Sequence, residues 1–169
     1  LSTLRVGQAG LVEHLTPKEF DSLRGRKGIT VAGVIGNDNL FVHMNFSTPP
    51  FDNILVRQAI AYAIPYDEII KNGYFGAATK WMGVIPSGYP GYSESKIQYN
   101  YDIEKAKALL AEAGYPNGEG LEKFASSFEL AYVSEKESTL GPIAIMIRSA
   151  LAEIGISVTL NPLPQTQYG

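Results

Sequence analysis

The sequence predicts an α/β fold, with a mixed sheet flanked by helices. Three observations carry that expectation. Apolar residues recur at helical spacing in several stretches. Short β-branched or alternating stretches lie between them and read as strands. The first two strands are separated only by Gly36-Asn37-Asp38-Asn39, a run of turn-forming residues, so they are expected to form a hairpin and add an antiparallel pair to the sheet. At 169 residues the chain is one ordinary domain, or a domain with an extension. Chains of about this size hide roughly 70% of the surface they expose when unfolded, so a sizeable core is expected.

The elements follow in order. Thr16-Pro17-Lys18-Glu19 opens a helix: Thr16 caps it, Pro17 fits the first helical position and Glu19 completes a capping box. Phe20 and Leu23 face inward, and Gly25 ends the helix. Residues 29–35 and 40–45 read as the two hairpin strands. Residues 46–53 contain Pro49 and Pro50 and cannot be regular. Val56, Ala59, Ile60 and Ala63 mark the next helix, and a short one follows Pro65 through Ile69 and Ile70. Residues 77–100 are rich in Gly, Pro, Ser and Tyr; so long a connection without periodicity is uncommon and often functional. Asp102 caps a helix with Ile103, Ala106, Leu109, Leu110 and Ala113 on one face. Residues 128–133 read as a strand, and Ile143, Met146, Ile147, Ala150, Leu151 and Ile154 as another helical stripe. Ile156, Val158 and Leu160 make a last alternating strand, before a Pro-rich tail over residues 161–169 with no closing element. Gly114 and Gly155 each sit where a helix must turn left-handed to stop.

Composition removes several function classes. The net charge is −3, and the densest basic group, Arg24-Gly25-Arg26-Lys27, is too short to track phosphates, so no nucleic-acid partner is expected. No apolar run approaches the 18 or so residues of a membrane span, so this segment is not expected to insert in a membrane. Cys is absent, which removes disulfides, thiol nucleophiles and Cys-ligated metals. No Gly-rich phosphate loop or nucleophile elbow occurs. Gly118-Glu119-Gly120 reads as a plain surface turn. His14 and His43 are the two histidines and belong to no metal spacing. Asp67 and Glu68 read as first-turn helix residues, and Glu135, Lys136 and Glu137 as a solvated loop. Asn45-Phe46-Ser47 matches a glycosylation sequon by chance. The chain is expected to be neither an enzyme nor a carrier of a cofactor or metal.

Residues 40–53, Leu-Phe-Val-His-Met-Asn-Phe-Ser-Thr-Pro-Pro-Phe-Asp-Asn, lead into Val56-Arg57-Gln58-Ala59-Ile60-Ala61-Tyr62-Ala63-Ile64. This stretch resembles the signature of the family 5 extracellular solute-binding proteins, the group that contains the dipeptide- and oligopeptide-binding proteins of ABC importers. Residues 101–115 are similar to that family's Asp-Pro-Glu-Lys-Ala-Lys helix, with Ile103 in place of the usual Pro. Residues 147–160 resemble its helix ending in Ile-Gly-Ile, and residues 6–23 the stretch before the signature. Within the signature, Pro49-Pro50 stops the preceding strand, Phe51 is expected to anchor in the core, Asp52 to cap the next helix, and Arg57 to form a structural ion pair.

The resemblance implies one lobe of a two-lobed periplasmic-binding-protein-like fold (type II, cluster C). The whole of residues 1–169 is then a single partial domain, a second-lobe fragment of a longer protein, with the 77–100 loop inside it. The opening on Leu1 rather than Met agrees with an excised or processed chain. The implied function is capture of a small peptide or other small solute and delivery to ABC permease subunits, without chemistry. The implied location is the periplasm or a cell-surface lipoprotein, the signal not being part of this chain. A solute-sensing module of a transcriptional regulator, or a binder of oligosaccharide or nickel complex, is the alternative.

The resemblance also points to ligand-binding candidates. The strand before Asn45 lines the cleft in that family, and period two puts Phe41 and His43 on one face and Val42 and Met44 on the other. For Phe41 the competing reading is core, and for His43 plain surface. Asp38 is a further candidate, with an ordinary turn residue as its competing reading. Trp81, the single Trp, suits stacking on a ligand but is as readily a loop anchor, with Tyr89 and Tyr92 pinning the same loop.

Overall fold

The computed structural model describes residues 1–33, 36, 38–81, 83, 85, 89–93 and 98–168. Its centre is a pair of packed helices, α3 (Ile54–Ala63) and α5 (Ile103–Glu112). Their apolar stripes explain the pairing. Val56, Ala59, Ile60 and Ala63 of α3 are buried, as are Ala106 and Leu110 of α5, with Ile103, Leu109 and Ala113 packed at the margin. Both helices begin with a side-chain cap. The Asn53 carboxamide oxygen accepts from Leu55 N at 2.9 Å, and Asp102 accepts from Lys105 N at 2.9 Å. Asn53, not Asp52, is therefore the cap of α3. Asp102 N also donates to Tyr62 O at 2.8 Å, which fastens the start of α5 to the last turn of α3.

The remaining helices follow local signals closely. α1 spans Ser2–Arg5. α2 spans Pro17–Leu23, with the Thr16–Glu19 capping box formed in both directions and Leu23 buried. α4 (Tyr66–Glu68) follows Pro65 and continues as a wider π turn over Ile69–Gly73. Gly73 is buried there because the helix that carries Ile143 lies against it: a Cβ would stand 2.6 Å from a side-chain carbon of Ile143.

The sheet is a β-α-β unit. β1 (Glu129–Val133) and β2 (Thr159–Leu163) are parallel, registered from Glu129 opposite Thr159 to Val133 opposite Leu163. The crossover is α6 (Glu137–Ala152), whose Ile143, Ala144, Ile147, Ala150 and Leu151 are buried. Ile154 and Ile156 close the core behind the Gly155 turn. β2 lies later than the alternation of residues 156–160 predicts, and it runs into the Pro-rich tail. Pro162 pairs opposite Tyr132, a position an edge strand tolerates because its missing N–H faces no neighbour.

Among the described residues the expected hairpin is not formed. Residues 29–33 and 40–45 are neither helix nor strand and carry no strand ladder among the described residues, while 34, 35 and 37 lie outside them. The α/β class holds, but the sheet among the described residues is a parallel pair without the antiparallel member. The reason is that β-branched residues suit a pleated surface, whereas a strand exists only when a neighbour takes its hydrogen bonds. The period-two alternation survives without the ladder: Val42 and Met44 pack on the core, and Phe41 stays 49% exposed.

The signature segment docks on this unit as a plug. The Phe51 ring meets Phe128 edge-on at 5.3 Å, as expected of a core anchor. Ser127 Oγ donates to Pro49 O at 3.1 Å. Arg57 forms no ion pair among the described residues. Its Nη1 donates to the carbonyls of Phe51 (2.6 Å) and Asp52 (3.2 Å), so it fixes the irregular backbone that the prolines create.

Gly118-Glu119-Gly120 is more than a surface turn. Gly118 is buried against Gly155, and both have φ +82°. Two backbone turns, one after α5 and one after α6, meet with no side chain between them.

Candidate functional site

Residues 41–43 lie beside the start of β1. Between residues 41–43, residues 129–131 and the end of β2 lies an open groove of about 380 Å³. Leu163, Gln167 and Tyr168 complete its wall. The turn that carries the last two is held from below by Glu135. Its carboxylate accepts Gln165 N through both oxygens, at 3.1 and 3.0 Å. Glu135 is thus a structural acceptor rather than a merely solvated loop residue, and Glu137 likewise accepts from Tyr132 OH at 3.2 Å. At the other end of the strand pair Asn161 Nδ2 donates to Glu129 Oε1 at 2.6 Å, which orients the one carboxylate on the groove wall.

The bond from Gln165 N holds the Glu135 carboxyl below its ordinary value of 4.5, its own main-chain N–H adding to the effect. A depressed folded value means stability that is present above 4.5 and lost as pH falls through the folded value. Glu19, whose carboxyl is lowered by the Thr16 main-chain N–H and hydroxyl, acts with the same sign. The expected result is that Glu135→Gln flattens the acid side of the stability curve. Urea unfolding at about pH 3 and pH 7 should differ less in the variant than in the parent.

Three of the four predicted ligand residues come together. Phe41 stands between the other two rings: His43 at 5.7 Å and tilted 59°, Trp81 at 5.4 Å and tilted 41°. Phe41 and His43 are both exposed on one face, so the core reading of Phe41 does not hold. Trp81 is half-buried, and its Nε1 donates to Ile85 O at 3.2 Å. Its polar handle is used inside its own loop, as an anchor would use it, and what it offers outward is ring surface. Asp38 is exposed and does not join the row. Its charge acts on Tyr74, whose phenol is pushed up chiefly by burial and further by Asp38. Tyr89 is 45% exposed, and its carbonyl accepts Tyr92 N at 3.1 Å. Lys80 and Tyr99 tie this stretch to the fold, through contacts that the sequence does not reveal. Lys80 Nζ donates to Tyr99 O and, at 2.6 Å, to Asn100 Oδ1.

Chemically, the groove offers aromatic faces, one imidazole, one oriented carboxylate and a stretch of main chain outside any ladder among the described residues. Such a surface can hold an extended, amphipathic solute by main-chain pairing and ring contact.

The sequence matches the profile of the bacterial extracellular solute-binding proteins, family 5 (middle), over residues 1–169. It is 29% identical over 165 residues to the dipeptide-binding protein of Escherichia coli K12, covering 98% of this chain and 30% of that protein. It is 43% identical over 140 residues to heme-binding protein A of Haemophilus influenzae, covering 82% of this chain and 23% of that one. The fold is similar to the ABC-transporter-associated periplasmic binding protein DppA of Helicobacter pylori, solved with the peptide STSA. There the TM-score is 0.76 and the identity 30%, over 99% of this chain and 31% of that chain. The α/β architecture is that of type II periplasmic binding proteins and agrees with one lobe of them. The chain spans between about a quarter and a third of the length of these relatives. No helix among the described residues is long and apolar enough to cross a membrane. With the family profile matched from the first residue to the last, the chain belongs to the family 5 bacterial extracellular solute-binding proteins.

Proposed function

We propose that this chain is part of the second lobe of an ABC importer's solute-binding protein. It captures small peptides in a cleft against a partner lobe and performs no chemistry. The observation that carries this reading is the His43–Phe41–Trp81 row on the exposed face of the segment preceding Asn45, beside the groove. The peptide class is supported by the dipeptide-binding relative and by the peptide-bound structural neighbour. In the cell the chain's parent protein delivers the peptide to permease subunits, from the periplasm or as a cell-surface lipoprotein. Trp81, near the start of the Gly/Pro/Tyr-rich stretch, contributes to the cleft.

One lobe alone presents half a site, and binding is expected to be weak. Titration with a di- to pentapeptide pool, followed by Trp81 emission, should give a saturable change with dissociation constants well above about 1 µM. Phe41→Ala should abolish that change. Absence of any response up to about 10 mM peptide, or a response to non-peptide solutes alone, would count against the peptide reading.

A further inference from the structure

The residue that closes the long loop stands next to the residue that the loop presents. Lys80 reaches 19 and 20 positions along the chain to the Tyr99 carbonyl and Asn100 Oδ1. Its ammonium also lies 4.5 Å from the centre of the Tyr66 ring. That ring is fixed from beneath, because Tyr66 OH donates to Ala61 O at 2.9 Å. Burial pushes the Tyr66 phenol up to about 12, so it stays a neutral donor at all working pH values. Tyr99 in turn packs edge-on against Tyr62 at 5.1 Å, and Tyr62 O accepts Asp102 N. Both ends of the loop therefore converge on the C-terminal end of α3, which is core.

An ammonium suits this position. It has three donors on a flexible stem, and two oxygens and a ring face satisfy it here. Lys80 is held at the Tyr66–Asn100 corner, and the ring of its sequence neighbour Trp81 lies against Phe41 at 5.4 Å.

We infer that Lys80 is a positioning residue: by joining the two ends of the 77–100 loop it sets the orientation of Trp81 against Phe41, and so the aromatic wall of the solute cleft. The inference rests on the reading of Phe41 and Trp81 as cleft residues.

The test separates the two. Trp81 is the only tryptophan, so emission and acrylamide quenching report on it alone. In Lys80→Met, without any peptide, the quenching constant should rise about twofold as the ring loosens from Phe41, while the unfolding midpoint moves little. Lys80→Arg should restore part of the protection. Asn100→Ala, which removes one exposed acceptor, should give a smaller rise, and it serves if Lys80→Met does not fold. Unchanged quenching in Lys80→Met, or in Asn100→Ala if that is the variant that folds, overturns the inference. With peptides, Lys80→Met should bind about three- to tenfold more weakly than the parent. A quenching increase in the variant, together with no peptide response in the parent, sustains the positioning role and removes the peptide reading.

Discussion

Gly155→Ala is expected to destabilise the fold by roughly 2–5 kcal/mol, through strain and overpacking together. Gly155 has φ +82°, a region in which an L side chain is strained. A Cβ there would collide with Asn117 O, stand 2.6 Å from the Asn117 carbonyl carbon and 2.9 Å from Gly118 Cα. Each of those neighbours is backbone, so no rotamer change relieves the clash. The obstruction is mutual: a Cβ on Gly118 would stand 2.8 Å from Gly155 Cα. Both changes separate the turn after α5 from the turn after α6, and with it Ile154 and Ile156 from the core. In a chain of this length the melting temperature should fall by about 5–15 °C. Gly114→Ala is the control. Its φ is +91° but nothing lies within 4 Å of a Cβ there, so it carries only the conformational strain, about 1 kcal/mol. Equal losses at Gly114 and Gly155 would show that the close approach of the two turns is not what requires glycine.

The second large effect is Leu110→Ala. Leu110 is 0% exposed and sits where α5 meets α3, in one cluster with Val56 and Ile60. Its removal leaves a cavity between two capped helices that cannot easily collapse. The expected loss is about 2–5 kcal/mol, read from urea or thermal unfolding. Leu109, its neighbour in sequence, is only partly buried, and Leu109→Ala should cost less than half as much. A reversal of that order would mean that α5 is rotated on its axis relative to the packing described.

What was legible in the sequence was local. The Thr16 cap, the stripe on α3, the Asp102 cap and the stripe on α6 depend on residues within one or two turns of each other, and all four stand as read. The alternation at residues 41–44 was legible for the same reason. What was not legible depends on segments far apart in the chain. A strand at residues 40–45 needs a hydrogen-bonding neighbour, and none of the described residues supplies it. The roles of Gly118 and Glu135 arise from Gly155 and Gln165, thirty or more positions downstream. Lys80 could not be told from any surface lysine until the loop brought Tyr99 and Asn100 back to it. At the site, period two placed Phe41 and His43 together, while Asp38, grouped with them by proximity in sequence, stands apart from the ring row and acts on Tyr74.

The face carrying Phe41, His43 and Trp81 is proposed to meet the solute. A two-dimensional amide spectrum of the chain, recorded before and after adding a di- to pentapeptide pool, tests it at residue level. Shifts are expected to be confined to residues 41–43, the Trp81 indole N–H and the groove wall at residues 129–131. Shifts confined to any other surface, or a well-dispersed spectrum that peptides leave unchanged, would contradict it.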